Sequence, residues 1–119
     1  MKSDCFLHWV TQLLVWHWET KSYSQHVAFV KAYKEFGKLF DEYVEVYQGK
    51  NPRLPLPDFD SCPSYVSVKD APEKILWFKS YLMLDLVQTI DKSQDTDLLN
   101  LRDEMLSELN HLTYLLTLE

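Results

Sequence analysis

"NPRLPLPDFDSCPSYVSVKD", residues 51–70, decides the fold of this chain. Pro52, Pro55, Pro57 and Pro63 fall within it, so neither a helix nor a central strand can run through. Drawn out at about 3.1 Å per residue, its 20 residues cover about 60 Å. The helix before it needs only about 38 Å at 1.5 Å per residue. A connection of this reach can travel the length of a helical bundle and start the next helix at the far end. A plain up-and-down bundle needs no such loop.

Four helices surround this connection in the sequence pattern. The first runs from about Asp4 to Glu19, with Phe6, Val10, Leu13 and Trp16 three or four positions apart. Ser22 and Gln25 fit a capping box, which starts the second helix near Tyr23. That helix runs to about Gln48 along the stripe Phe29, Tyr33, Phe36, Phe40, Tyr43 and Tyr47. Gly49 is read as its closing glycine. Asp70-Ala71-Pro72-Glu73 opens the third helix with a cap, an early proline and a first-turn acid. The fourth starts after Asp95 or Thr96 and carries Leu98, Leu101, Met105, Leu109, Leu112 and Leu116 in heptad-like order. Short links join helices one and two, and three and four, so each pair is antiparallel. The expected fold is all-α: a ferritin-like four-helix bundle, residues 1–119 as one domain, with one long crossover over about 50–69.

Composition narrows the function classes. The chain has 119 residues, 46% hydrophobic and 14% aromatic, with two glycines, so it buries an ordinary core and is not disordered. A net charge of −6 argues against a nucleic-acid surface held by phosphate neutralisation alone. "FLHWVTQLLVW" is interrupted by His8, Thr11 and Gln12 and is not followed by a small-residue cleavage site, and no apolar run is long enough to span a bilayer. Cys5 and Cys62 lie far apart and without ligand spacing. These features predict a soluble cytoplasmic protein with two free thiols.

The chemistry concentrates around "WHWETKSYSQH", residues 16–26. His17 and His26 flank the hinge between the first two helices. Asp41 and Glu45 sit one turn apart further along helix two and face the same way. Imidazole and carboxylate together suit iron, zinc or manganese. His26 and Asp41, however, are separated by 15 positions of helix, about 22 Å, whereas ligand atoms lie about 2.0–2.2 Å from one ion. A four-ligand site therefore takes the histidines of one subunit and the carboxylates of a two-fold partner, an arrangement that yields two equal sites.

The "HW" pair, its polar hinge and "HVAFVKAYKEFGKLFDEYVEVYQG" resemble the Dps mini-ferritins over Val15 to Gly49. The whole chain is also similar to short ferritin-like proteins of phage genomes. The Dps resemblance implies an intersubunit ferroxidase centre in which His17, His26, Asp41 and Glu45 hold Fe(II), with Trp18 as the near-site aromatic. It implies a homo-oligomer with two-fold interfaces, up to a dodecameric shell, that oxidises iron for storage or for protection from oxidative damage. The chain departs from the family in a shorter spacing between the histidines, in lacking the short helix between helices two and three, and in lacking a basic extension.

Two other readings stay open on the residues alone. One is a catalytically silent helical interaction protein that keeps the bundle. The other is a monomeric di-iron oxidase built around Glu45, Glu108 and His111, the last two forming a Glu-x-x-His motif.

Overall fold

The computed structural model describes residues 1–58 and 62–118. Phe59, Asp60 and Ser61 of the expected crossover lie outside the described residues. The chain is all-helical, with four α-helices and no strand among the described residues: α1 (Asp4–Glu19), α2 (Tyr23–Lys50), α3 (Ala71–Ser80) and α4 (Thr96–Leu115).

Local chemistry sets most of these limits. Ser22 accepts a hydrogen bond from the Gln25 backbone N–H at 3.3 Å, which satisfies one of the free donors at the start of α2. The other half of the expected capping box is not made. Thr20 Oγ1 donates to Gln25 Oε1 at 2.6 Å, and the Ser22 N–H turns to Thr20 Oγ1 instead. At the other end, Gly49 does not close α2. The helix continues through Lys50 and stops at extended Asn51, and no glycine adopts a positive φ. Gly49 is therefore an ordinary helical position. The third helix is entered through a 3₁₀ turn, Val68–Asp70, with Pro72 in the first turn, where its missing N–H costs nothing. Beyond Ser80 it widens into a π-turn at Tyr81–Asp85 and finishes as 3₁₀ at Leu86–Thr89. Arg102 of α4 donates to the Leu82 carbonyl within that widened turn.

The core is aromatic. Trp9 and Trp16 of α1, Phe29, Phe36, Phe40 and Tyr43 of α2, and Phe78 of α3 are buried together with Leu98, Met105 and Leu109 of α4. Trp9 stacks on Phe78 with ring centroids 4.7 Å apart and meets Phe36 edge-on at 5.9 Å, so one indole ties three helices together. Four of the six residues in the expected α2 stripe are buried; Tyr33 and Tyr47 lie at its half-buried margins.

Polar contacts fix the helix ends. Lys50, at the end of α2, pairs with Asp95 and Asp97 at the start of α4. Ser24, at the start of α2, donates to the Leu118 carbonyl just beyond the end of α4, so α2 and α4 run antiparallel. The segment before α3 is bonded to α1 at three levels. The Asp58 N–H donates to Asp4, Val66 pairs with Gln12, and the Val68 N–H donates to Glu19.

Gln12 is fully buried and spends its whole amide on one residue. Its Nε2 donates to the Val66 carbonyl at 3.0 Å and its Oε1 accepts the Val66 N–H at 2.8 Å, while Trp16 Nε1 donates to the same carbonyl at 2.9 Å. Gln12→Leu keeps the volume but strands the Val66 N–H, because the carbonyl retains Trp16 and the N–H has no substitute. Denaturant unfolding of Gln12→Leu is expected to show a loss of about 2 kcal/mol.

Candidate functional site: the His17–His26 hinge

The chain reverses between α1 and α2 within three residues, and this brings the last turn of one helix against the first turn of the other. His17 and His26 meet there with ring centroids 3.8 Å apart and planes 22° from parallel. Each ring is held by the other residue's backbone: His17 Nδ1 lies 2.8 Å from the His26 carbonyl, and His26 Nδ1 lies 2.9 Å from the His17 carbonyl. A carbonyl oxygen only accepts, so both Nδ1 atoms carry the proton. In the neutral rings the lone pair is left on Nε2 in both histidines, and neither Nε2 has a hydrogen-bond partner among the described residues. A backbone carbonyl on one ring nitrogen is the usual orienting contact of a histidine that uses its other nitrogen as a ligand. Trp18 stands beside the pair and is 69% exposed.

Asp41 and Glu45 are both exposed on α2. Asp41 lines an open apolar groove of about 340 Å³ between α1 and α2, together with Leu7, Val10, Gly37 and Val44. Val10 and His17 are seven positions apart on α1, and His26 and Gly37 are eleven apart on α2, so the groove and the histidine pair share one face of the hairpin. They occupy opposite ends of it, about 22 Å apart along α2. The histidines are therefore together, the carboxylates are together, and the two sets are apart. Among the described residues, no group of three or more His, Cys, Asp or Glu side chains converges.

Glu108 lines a different cleft, between α2 and α4, of about 450 Å³ with Glu35, Glu42, Glu104 and Lys38 around it. Glu45 is not part of its lining. Glu108 thus faces an acidic surface cleft shared with Glu42, and His111 is not part of its lining.

Sequence reasoning also passed over a buried polar cluster beneath the segment before α3. His8 is 2% exposed, stacks on Tyr65 at 4.4 Å and meets Trp77 edge-on at 5.6 Å. Its Nε2 has no hydrogen-bond partner among the described residues. Burial, followed by the nearby Lys74 ammonium, pushes its pKa down to about 4. Lys74 is itself buried; it donates to the Ser64 carbonyl at 3.1 Å and lies over the Trp77 ring at 4.5 Å, and burial lowers its pKa. The repeated "HW" at His8-Trp9 and His17-Trp18 was the one available signal. The first copy points into the core and the second into solvent.

The fold and the hinge define an all-helical protein with an imidazole pair on an exposed helical hairpin. The sequence matches the family of unknown function DUF5856 over residues 17–116, and the chain belongs to that family. Comparisons with curated proteins and with solved structures gave no match. No helix among the described residues is long and apolar enough to cross a membrane.

Proposed function

We propose that the chain is a ferritin-like four-helix bundle with one long crossover, acting as a Dps-like mini-ferritin. In this reading two chains pair across the α1–α2 face, and Fe(II) is the substrate at His17 and His26 of one chain with Asp41 and Glu45 of the other. Peroxide or oxygen then takes the electrons, and the product is stored or detoxified iron.

The observation that carries this reading is the reciprocal pair of Nδ1–carbonyl bonds. It holds two imidazoles in one place with both Nε2 atoms free to act as donors to a metal. Three further features support it. The contacts of Asp58, Val66 and Val68 follow α1 from its first turn to its last, as a crossover segment would. The groove beside Asp41 gives a second copy an apolar surface to cover. Finally, a two-fold axis through the middle of the hairpin carries the histidine end of one chain over the carboxylate end of the other, closing the 22 Å separation without distortion. Zinc and manganese suit the same ligands.

The test is native mass by light scattering, followed by titration with Zn(II) and with anaerobic Fe(II). A dimer or a shell of about twelve chains, roughly 170 kDa, binding one metal or more per chain is the expected result. A monomer of 14.2 kDa that binds no metal would overturn it and leave a helical interaction protein. Metal affinity is expected to weaken with falling pH, because protons compete with the metal for Nε2.

A further inference from the structure

Asp4, His8, Gln12 and Lys74 are the buried polar side chains among the described residues. Asp4 and Gln12 are satisfied by the segment before α3: Asp4 accepts the Asp58 N–H at 3.0 Å, and Gln12 pairs with Val66. His8 and Lys74 are not satisfied, and both meet the ring of Trp77. His8 lies edge-on to it at 5.6 Å with its Nε2 unpartnered. Lys74 Nζ lies over the ring at 4.5 Å and donates to the Ser64 carbonyl at 3.1 Å. No carboxylate among the described residues forms an ion pair with Lys74. An ammonium has three donors, so Lys74 keeps donors to spare and a buried charge without a counter-charge.

Ser64, Lys74 and Trp77 line one open cavity of about 320 Å³, together with Asp70 and Glu73. Asp70 is half-buried and Glu73 exposed, and neither is ion-paired among the described residues. The cavity thus has a buried positive charge on its floor and negative charges at its rim, with no bridge between them. It shares no lining residue with the α1–α2 groove, and the inference drawn from it does not rest on the metal reading.

We propose that this cavity binds a free α-amino acid with an apolar side chain, its carboxylate on Lys74 and its ammonium at Asp70 and Glu73. The side chain lies along Trp77, Val66 and Pro63, the apolar part of the lining. Three arguments support the assignment. The separated charges match a zwitterion and neither a plain anion nor a plain cation. The volume sits at the lower end of the range of small-molecule sites, about 300–1,000 Å³. Finally, burial disfavours the Lys74 ammonium, and a bound carboxylate restores it. A buried cation kept without a partner lowers the stability of the fold by itself, a cost that a binding function accounts for.

The experiment is thermal unfolding of the full chain with L-leucine, with leucinamide, which lacks the carboxylate, and with 4-methylpentanoate, which lacks the ammonium. Leucine is expected to raise the midpoint saturably, by roughly 5 °C at ten times its dissociation constant. Each analogue is expected to bind at least about tenfold more weakly, since each loses a charged hydrogen bond. Glu73→Gln, at an exposed position, should shrink the advantage of leucine over 4-methylpentanoate. Lys74→Met should be at least as stable as wild type and give no shift with leucine. Wild type that ignores leucine, or binds leucinamide equally well, would overturn the site. Equal binding of 4-methylpentanoate would overturn the amino-acid assignment, and undiminished leucine binding by Lys74→Met would overturn the role of Lys74. The comparison of the three compounds on wild type decides the proposal even if a variant fails to fold.

Discussion

A mixture of two inactive variants is expected to recover metal binding that neither shows alone. His17→Ala/His26→Ala removes the imidazole pair, and Asp41→Ala/Glu45→Ala removes the carboxylates. Each is expected to weaken Zn(II) binding roughly 100-fold or more, because the ligands left behind cannot hold the ion at working concentration. The substitutions fall on exposed or half-buried positions at the hinge and on the outer face of α2, so the core is untouched. After the variants are mixed and exchange subunits, half the dimers are mixed, and each mixed dimer has one complete site and one with no ligands. About a quarter of the wild-type capacity should return. A site confined to one chain predicts no recovery at any mixing ratio. Isothermal titration of the separate and mixed variants decides between them, and circular dichroism checks that both fold. Recovery cannot be produced by a purely structural role of these residues, which makes this the sharper measurement once the native mass is known.

Acid is expected to unfold the chain through His8. The ring is buried and its pKa lies at about 4 against an ordinary 6.5, chiefly because burial disfavours the imidazolium and secondly because the Lys74 ammonium repels it. The fold therefore favours neutral His8. Between pH 6.5 and about 4 the unfolded chain binds the proton that the folded chain refuses, so stability falls as pH falls across that window. At 1.36 kcal/mol per pKa unit the full loss is roughly 3 kcal/mol, a large share of an ordinary domain's stability. Above pH 6.5 the contribution is complete and the slope vanishes. His8→Phe retains an aromatic ring between Tyr65 and Trp77 and removes both the titration and the unpartnered Nε2. Urea unfolding of the two proteins at pH 7 and pH 4.5 isolates the effect. Wild type is expected to lose most of that stability and His8→Phe to keep it. Equal losses in the two proteins would assign acid sensitivity to other groups.

The parts of this molecule legible in the sequence are those governed by near neighbours. Helix periodicity placed α1 at Asp4–Glu19 and the start of α4 beside Asp95. The Ser22 hydroxyl and Pro72 marked two starts because each acts on backbone within one turn. The histidine pair was legible for the same reason, since a three-residue reversal leaves His17 and His26 nowhere to go but together. Where local groups compete, the pattern misled. The Gln25 side chain can bond either the Ser22 N–H or Thr20 and takes Thr20, and Gly49 can end a helix but is carried through it. The π-turn at Tyr81–Asp85 has no glycine or proline to announce it.

The sequence by itself determined an acidic, all-helical chain with an imidazole pair at one hinge and a proline-bearing segment too long for a simple turn. Only the tertiary structure decided which way the two copies of "HW" point and what Gln12 is for. Those outcomes depend on one segment lying along α1, with Val66 pairing to Gln12 across 54 positions and Ser64 to buried Lys74. Contacts of that range are chosen by how whole helices pack and by which buried polar groups then need partners, information that no local stretch of residues contains.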